Sequence, residues 1–345
     1  MQQENGKFTR EEILSQPDTW AETLAYLEKD WKSGLPDVGA YDEVILSGCG
    51  STYYLSIWAA RLLQRKTGVT CIPVPGSEIW YSGEDWIHPD RKTLFIAISR
   101  SGLTTETLHA LDYFLKAGQG DALAVTCYGD SPLAKSAPKA VITSAGMENS
   151  VAQTRSFTNM MWALMRLANG DIPSGLPAQV SQVGKQLLAN YQSTSREIGA
   201  NLEIERFFFL GDGPLYGLAL EVMLKMKEMS LSYSEAYHFL EFRHGPMSVI
   251  NDHSLVVGLA NPQQAAYEMP VLQQMRELGA RTLAVGGLTE TPAAADTFYR
   301  LDGSLPYDWS FATYLPLIQL IAFERSLAKG LNPDKPENLT AVVEL

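Results

Sequence analysis

The feature that most constrains this chain is an internal repeat. Val44-Ile45-Leu46-Ser47-Gly48-Cys49-Gly50 is an apolar run entering a Gly-x-Gly turn, and a helical pattern follows at Leu55, Trp58, Ala59, Leu62 and Leu63. Phe207-Phe208-Phe209-Leu210-Gly211-Asp212-Gly213 repeats it 163 residues later, followed by Leu218, Leu220, Met223 and Leu224. Leu94-Phe95-Ile96-Ala97-Ile98 returns as Leu255-Val256-Val257-Gly258-Leu259 at an offset of 161, and Leu123-Ala124-Val125-Thr126 as Leu283-Ala284-Val285-Gly286 at 160. Ser131-Pro132 returns as Thr291-Pro292. Near-constant offsets across three apolar runs and a turn imply a tandem duplication with small insertions and deletions.

Each copy alternates short apolar runs with helical stretches. Continuous rather than alternating Val, Ile, Leu and Phe suit strands buried on both faces, and strand-helix alternation implies parallel sheets with right-handed crossovers. The expected fold class is α/β: two tandem doubly wound, flavodoxin-like domains. Residues 1–40 form an N-terminal helical arm, 41–178 the first domain, 179–200 a linker helix, 201–330 the second domain and 331–345 a tail. The arm opens on Thr9-Arg10-Glu11-Glu12, which reads as a capping box, with Phe8 and Ile13 as its hydrophobic staple. A break is expected near Pro17. In such sheets ligands bind beyond the carboxyl ends of the strands, where both Gly-x-Gly turns fall.

Composition narrows the classes of partner. The chain of 345 residues is 46% hydrophobic and 19% charged, enough apolar content for real cores, and its net charge is -12. That balance argues against extended nucleic-acid binding and against docking on an anionic membrane. Three cysteines without paired spacing fit a reducing cytoplasm. The start shows no signal-peptide pattern, and the stretch Tyr314 to Ala322 is too short to span a bilayer and reads as a buried helix. Cytoplasmic location is the expectation. The five histidines show no metal-ligand spacing, so neither a metal nor a cofactor is expected.

The sharpest chemical segment is Ser99-Arg100-Ser101-Gly102-Leu103-Thr104, between a strand ending at Ile98 and a helix beginning near Thr104 or Thr105. Hydroxyls, a permissive glycine and a helix N-terminus make a phosphate cradle, although an ordinary Ser/Thr-capped loop fits the residue types equally well. The second copy supplies a control: its counterpart, Ala260-Asn261-Pro262-Gln263, has neither hydroxyl nor glycine. That unequal loss favours function. Gly48-Cys49-Gly50-Ser51-Thr52 is a weaker signal that a tight strand-to-helix turn also satisfies. Cys49 has no sequence-adjacent histidine and is not read as a nucleophile. Glu221 and Glu228 share one helix face with Lys225 between them. A solvated Glu-Lys-Glu face is one reading. The flanking Met and Leu residues favour the other, a carboxylate in apolar surroundings suited to general-base work. His244 precedes Gly245-Pro246 in a loop. Glu148 to Thr158 reads only as a polar loop running into a buried helix.

Together these segments resemble the sugar isomerase (SIS) family in its double-domain form. The nearest parallels are the isomerase half of glucosamine-6-phosphate synthase and the tagatose-6-phosphate ketose/aldose isomerases. The most specific matches are Ser99-Arg100-Ser101-Gly102, Val151 through Thr158, Lys227-Glu228, Glu235-Ala236-Tyr237 and Arg243-His244-Gly245-Pro246. The resemblance implies phosphate binding by Ser99, Ser101 and Thr104, with Arg100 contributing backbone and charge. It implies sugar or phosphate contacts from Ser51 and Thr52, and sugar-hydroxyl contacts from Val151 and Gln153. Glu228 matches the base that moves a proton between C1 and C2, His244 the residue that opens the ring, and Glu221 a further acidic residue of the site. The histidine loop of this family reaches in from a second subunit, so a homodimer is implied, and the tail closes the site.

Two departures shape the expected activity. No glutaminase segment precedes the repeat, and Ala341 stands where the synthase carries its Schiff-base lysine. The expectation is therefore a glutamine-independent aldose/ketose isomerase or isomerising amino-sugar-phosphate deaminase acting on a hexose or hexosamine 6-phosphate. A fructosamine-6-phosphate deglycase is a related alternative. A non-catalytic phosphosugar sensor is an alternative of another class.

Overall fold

The computed structural model describes residues 5–31 and 34–340. The chain folds into two compact units, the first built on residues 15–148 and 153–181, the second on 5–14, 149–152 and 182–339. Each is an α/β layer structure around one parallel five-stranded sheet.

The first sheet contains β1 (Glu43–Gly48), β2 (Thr70–Pro75), β3 (Lys92–Ile98), β4 (Gln119–Thr126) and β5 (Lys139–Ile142), in the order β2-β1-β3-β4-β5. The second contains β6 (Arg206–Gly211), β7 (Tyr233–Tyr237), β8 (Ser254–Leu259), β9 (Arg281–Gly286) and β10 (Thr297–Arg300), in the order β7-β6-β8-β9-β10. The two orders are the same, and all strand pairs are parallel. The expected doubly wound architecture is therefore what the chain adopts. All six residues of β1 and of β8 are buried, as their uninterrupted apolar runs require for strands covered on both faces. Ile45, Phe95 and Leu111 anchor the first core; Phe208, Val256 and Leu272 anchor the second.

The helix Leu176–Ala200 carries the chain from one unit to the other. The Tyr314 to Ala322 stretch falls in a buried region, and most of it belongs to the helix Pro316–Ala328. No helix among the described residues is long and apolar enough to cross a membrane.

The N-terminal segment divides at Ser15. The helix Lys7–Leu14 belongs to the second unit and the helix Gln16–Asp30, with Pro17 in its first turn, to the first. Trp20 packs on Trp162 and donates to Thr158 Oγ1 at 2.9 Å, fastening the second of these helices to Arg155–Asn169. The expected capping box does not form. Thr9 lies inside its helix, and both its N–H and its hydroxyl donate to Asp334 Oδ1 at 2.8 Å. A carboxylate is a stronger acceptor for a helix N-terminus than a hydroxyl, and Glu12 is engaged elsewhere.

Candidate active site

In the first unit the crevice of interest lies past the carboxyl ends of β1 and β3, where the strand order reverses. The two glycines after β1 serve different ends. A Cβ on Gly48 would fall 2.6 Å from Thr52 Oγ1, while Gly50 has φ +56 and ψ -125, a backbone that side-chain-bearing residues avoid. Thr52 Oγ1 accepts from Cys49 N–H and donates to Cys49 O, both at 2.9 Å, so this hydroxyl closes the turn itself. Ser51 is buried in the first turn of Ser51–Thr67. Burial raises the Cys49 thiol above its usual range, which suits a packed turn residue rather than a nucleophile.

The turn after β3 carries more hydroxyls. Ser99 Oγ lies 3.1 Å from Thr104 Oγ1 and accepts the N–H of Gly102 at 3.1 Å; Ser101 Oγ accepts the N–H of Leu103 at 3.1 Å. Gly102 has φ +65, and a Cβ there would meet Ser131 Oγ at 2.2 Å. Thr104 is the N-cap of Thr105–Ala117, yet its side chain makes no cap bond. Ser99, Ser101 and Thr104 thus gather three hydroxyls at a helix N-terminus. Arg100 is only 8% exposed. Its carbonyl accepts from Thr126 Oγ1 and Cys127 N–H, and its guanidinium turns inward, 3.4 Å from Glu148 Oε2.

Glu148 is the residue that sequence reasoning passed over. Its side chain is fully buried; Oε1 accepts from Thr154 N–H (2.7 Å), Thr154 Oγ1 (2.8 Å) and Ser156 N–H (3.2 Å), and Oε2 accepts from the Ser156 hydroxyl. It ties the Arg100 turn to the segment holding Gln153, whose Oε1 lies 3.5 Å from Ser156 Oγ. A carboxylate six residues before a threonine looks like any loop carboxylate, so periodicity gave no hint of it.

In the second unit, the helix Pro214–Ser230 carries Glu221, Lys225 and Glu228 on one face. The sequence suggested a carboxylate among apolar side chains; the structure shows a charged triad there. The Lys225 ammonium, 1% exposed, lies 3.5 Å from Glu221 Oε1 and donates to Glu228 Oε2. Glu221 is fully buried, whereas Glu228 keeps 20% of its side chain exposed. His244 is exposed in the turn after Phe239–Phe242, ahead of Gly245 with φ +121. Glu235 sits at the centre of the neighbouring strand, β7. Burial pushes its carboxyl up, but hydrogen bonds from Tyr233 and Tyr237 prevail and hold it below the usual range. Val151 belongs to this unit as well, its N–H donating to Asp334 O at 3.2 Å.

Among the described residues no three His, Cys, Asp or Glu side chains form a metal-holding group. Ala341 lies outside the described residues.

The SIS domain model matches residues 41–170 and 202–304, one stretch in each copy. The chain belongs to the SIS-domain family. A curated relative, glutamine–fructose-6-phosphate aminotransferase (isomerizing) from Pyrococcus horikoshii, is 30% identical over 97% of this chain and 57% of its own length. The chain therefore spans a little over half the length of that relative. Among solved structures, tagatose-6-phosphate ketose/aldose isomerase from Escherichia coli superposes with a TM-score of 0.87 at 24% identity, covering 97% of this SIS chain and 96% of the other. Glucosamine-6-phosphate deaminase from Thermotoga maritima gives 0.78 at 25% identity, covering 98% and 99%.

Proposed function

We propose that this SIS protein is an enzyme that interconverts the aldose and ketose forms of a hexose or hexosamine 6-phosphate, releasing ammonia where the substrate carries an amine at C2. The observation that carries the reading is the division of chemistry between the copies: a hydroxyl-lined helix N-terminus in one and a buried Glu-Lys-Glu triad in the other.

The three hydroxyls of Ser99, Ser101 and Thr104, with the helix end, hold the phosphate without calling on a lysine cluster. His244 moves a proton between the anomeric hydroxyl and the ring oxygen and so opens the ring. Glu228 takes the C2 proton of the open aldose and returns it to C1 while the O2 proton passes to O1, leaving an alcohol at C1 and a ketone at C2. With an amine at C2 the same transfer leaves an imine, which water hydrolyses to ketose and ammonia. Lys225 fixes the rotamer of Glu228. Val151 and Gln153 read sugar hydroxyls, while Glu221 anchors Lys225. The working form is a cytoplasmic homodimer whose His244 loop is contributed by the second subunit.

The test is a panel of glucose, fructose, tagatose and glucosamine 6-phosphates, assayed for ketose and for ammonia. Turnover of at least one is expected, with Glu228→Gln lowering kcat about 10²–10⁴-fold and leaving inorganic phosphate affinity unchanged. Full turnover by that variant would overturn the mechanism. Phosphosugar binding without any turnover would make the chain a sensor.

A further inference from the structure

Glu12 is singled out by sequence as a capping residue and freed from that role by Asp334. It is 2% exposed, and its partners lie far along the chain. Oε1 accepts the N–H groups of Asn149 and Ser150, the latter at 3.2 Å, and Oε2 accepts the Ser150 hydroxyl. The Ser150 oxygen also lies 3.0 Å from the carbonyl oxygen of Ala152. The next N–H, that of Val151, goes to Asp334 O. Asp334 is 5% exposed and its carboxylate accepts from Phe8 N–H, Thr9 N–H and Thr9 Oγ1. Asn332 Oδ1 accepts from both Gly6 N–H and Asp334 N–H at 3.1 Å.

Three consecutive backbone N–H groups of a segment outside helix and sheet, residues 149–151, are thus held by two acidic residues distant in sequence. A coil segment ordinarily satisfies such groups with water or its own turns. Glu12 satisfies them with its carboxylate and Asp334 with its main-chain carbonyl; burying a carboxylate for this purpose is costly unless it is well hydrogen-bonded, as Glu12 is by Asn149 and Ser150. No described donor reaches the carbonyl oxygen of Val151. Val151 is half-buried, and the network fixes its N–H while engaging no other group of its backbone.

We propose that Glu12 and Asp334 are positioning residues for the sugar: they hold the 149–152 segment so that Val151 presents its carbonyl to a substrate hydroxyl. This rests on the phosphosugar reading above and adds to it a pair of residues outside every motif used there. The network touches the sugar-reading segment and leaves the Ser99 turn alone, so it separates affinity for the sugar from affinity for the phosphate.

The experiment compares the full-length wild type with Glu12→Gln and Ser150→Ala. It measures melting temperature, inorganic phosphate affinity, and kcat and KM for whichever sugar phosphate of the panel the wild type turns over. Glu12→Gln keeps the shape but weakens a charge-assisted set of bonds, and is expected to raise KM about tenfold while phosphate affinity stays within about twofold. Ser150→Ala, which removes one hydroxyl and leaves Glu12 its two backbone donors, is expected to raise KM about threefold. It carries the test if Glu12→Gln fails to fold. An unchanged KM in a folded variant, or KM and phosphate affinity worsening together, would overturn the inference and leave the phosphosugar reading standing. A wild type that turns over none of the panel would overturn both.

Discussion

The helices Ser51–Thr67 and Pro214–Ser230 are the same 17 positions of one repeat, offset by 163 residues. The first places Trp58 and Leu62 in its core, both fully buried, and Arg65 in solvent. The second places Glu221, Lys225 and Glu228 at those three positions. One helix thus uses its inner face for packing and its copy uses it for charge. The turns after the third strands diverge in the opposite sense. The first copy keeps the Ser99, Ser101 and Thr104 hydroxyls, which can receive an anion. The second fills the corresponding place with its own acid: Glu268 Oε2 accepts the N–H of Asn261 at 2.8 Å, and Oε1 has no partner. These two turns differ in backbone as well as in side chains: Gly102 has φ +65 in the first, and the residues before the following helices, Thr104 with φ -59 and ψ 118 and Gln264 with φ -117 and ψ -1, do not match.

The largest expected effect breaks the charged helix. Lys225→Met removes a cation from between the buried Glu221 and the Glu228 carboxylates and is expected to cost about 3–5 kcal/mol of stability, read from urea unfolding. Converting both residues to the apolar character of the first copy, Glu221→Leu with Lys225→Leu, is expected to recover most of that loss while abolishing the turnover proposed above. If the single variant is as stable as the wild type, the triad is solvated and the contrast between the helices fails.

Much of this was legible in the sequence because repeats and apolar runs are local signals. The offsets of 160–163 located strands and turns, and the Ser99–Thr104 pattern led to a polar helix end. What was illegible depends on partners distant along the chain. Glu12 finds Ser150 across 138 residues and Thr9 finds Asp334 across 325, so the local capping-box pattern suggested the wrong partner. Lys225 was visible as a spacing but not as a buried counter-ion, since spacing alone does not say which face of a helix is covered. The His238 ring stacks on Tyr216, 3.9 Å between centroids, and lies 3.1 Å from Asp212. Those three come from the ends of separate elements and share no motif.

The acid that fills the second turn gives a pH-dependent test. Burial, with a contribution from Asp212, raises Glu268 from an ordinary 4.5 to about 8 against the lowering effect of the Asn261 N–H. Between these values the native state keeps a proton that the unfolded chain has lost. The stability linked to that proton is fully present below pH 4.5 and is lost progressively as pH rises through about 8. Glu268→Gln cannot titrate. Relative to this variant the wild type is expected to lose about 2–4 kcal/mol across the window, followed by urea midpoints at successive pH values. Parallel profiles would show that Glu268 is already ionised, and the second turn would then hold a true anion.

The smallest effect tests the one turn whose backbone the two copies share. Gly50 and Gly213 have φ +56 with ψ -125 and φ +56 with ψ -128, and at both a Cβ would have no heavy atom within 4 Å. Alanine therefore meets no steric obstacle at either position, and only the backbone conformation opposes it. Gly50→Ala and Gly213→Ala should each cost about 1–3 kcal/mol, with values within about 0.5 kcal/mol of one another because the strained geometry is the same. Their functional consequences should differ. Gly50 borders the crevice that receives the phosphate in the proposed function, so its variant weakens inorganic phosphate binding, whereas the Gly213 variant leaves it unchanged. Equal stability losses with equal losses of phosphate affinity would mean that both turns serve one ligand. Unequal stability losses would mean that the surroundings of these two turns, and not their shared backbone geometry alone, set the cost.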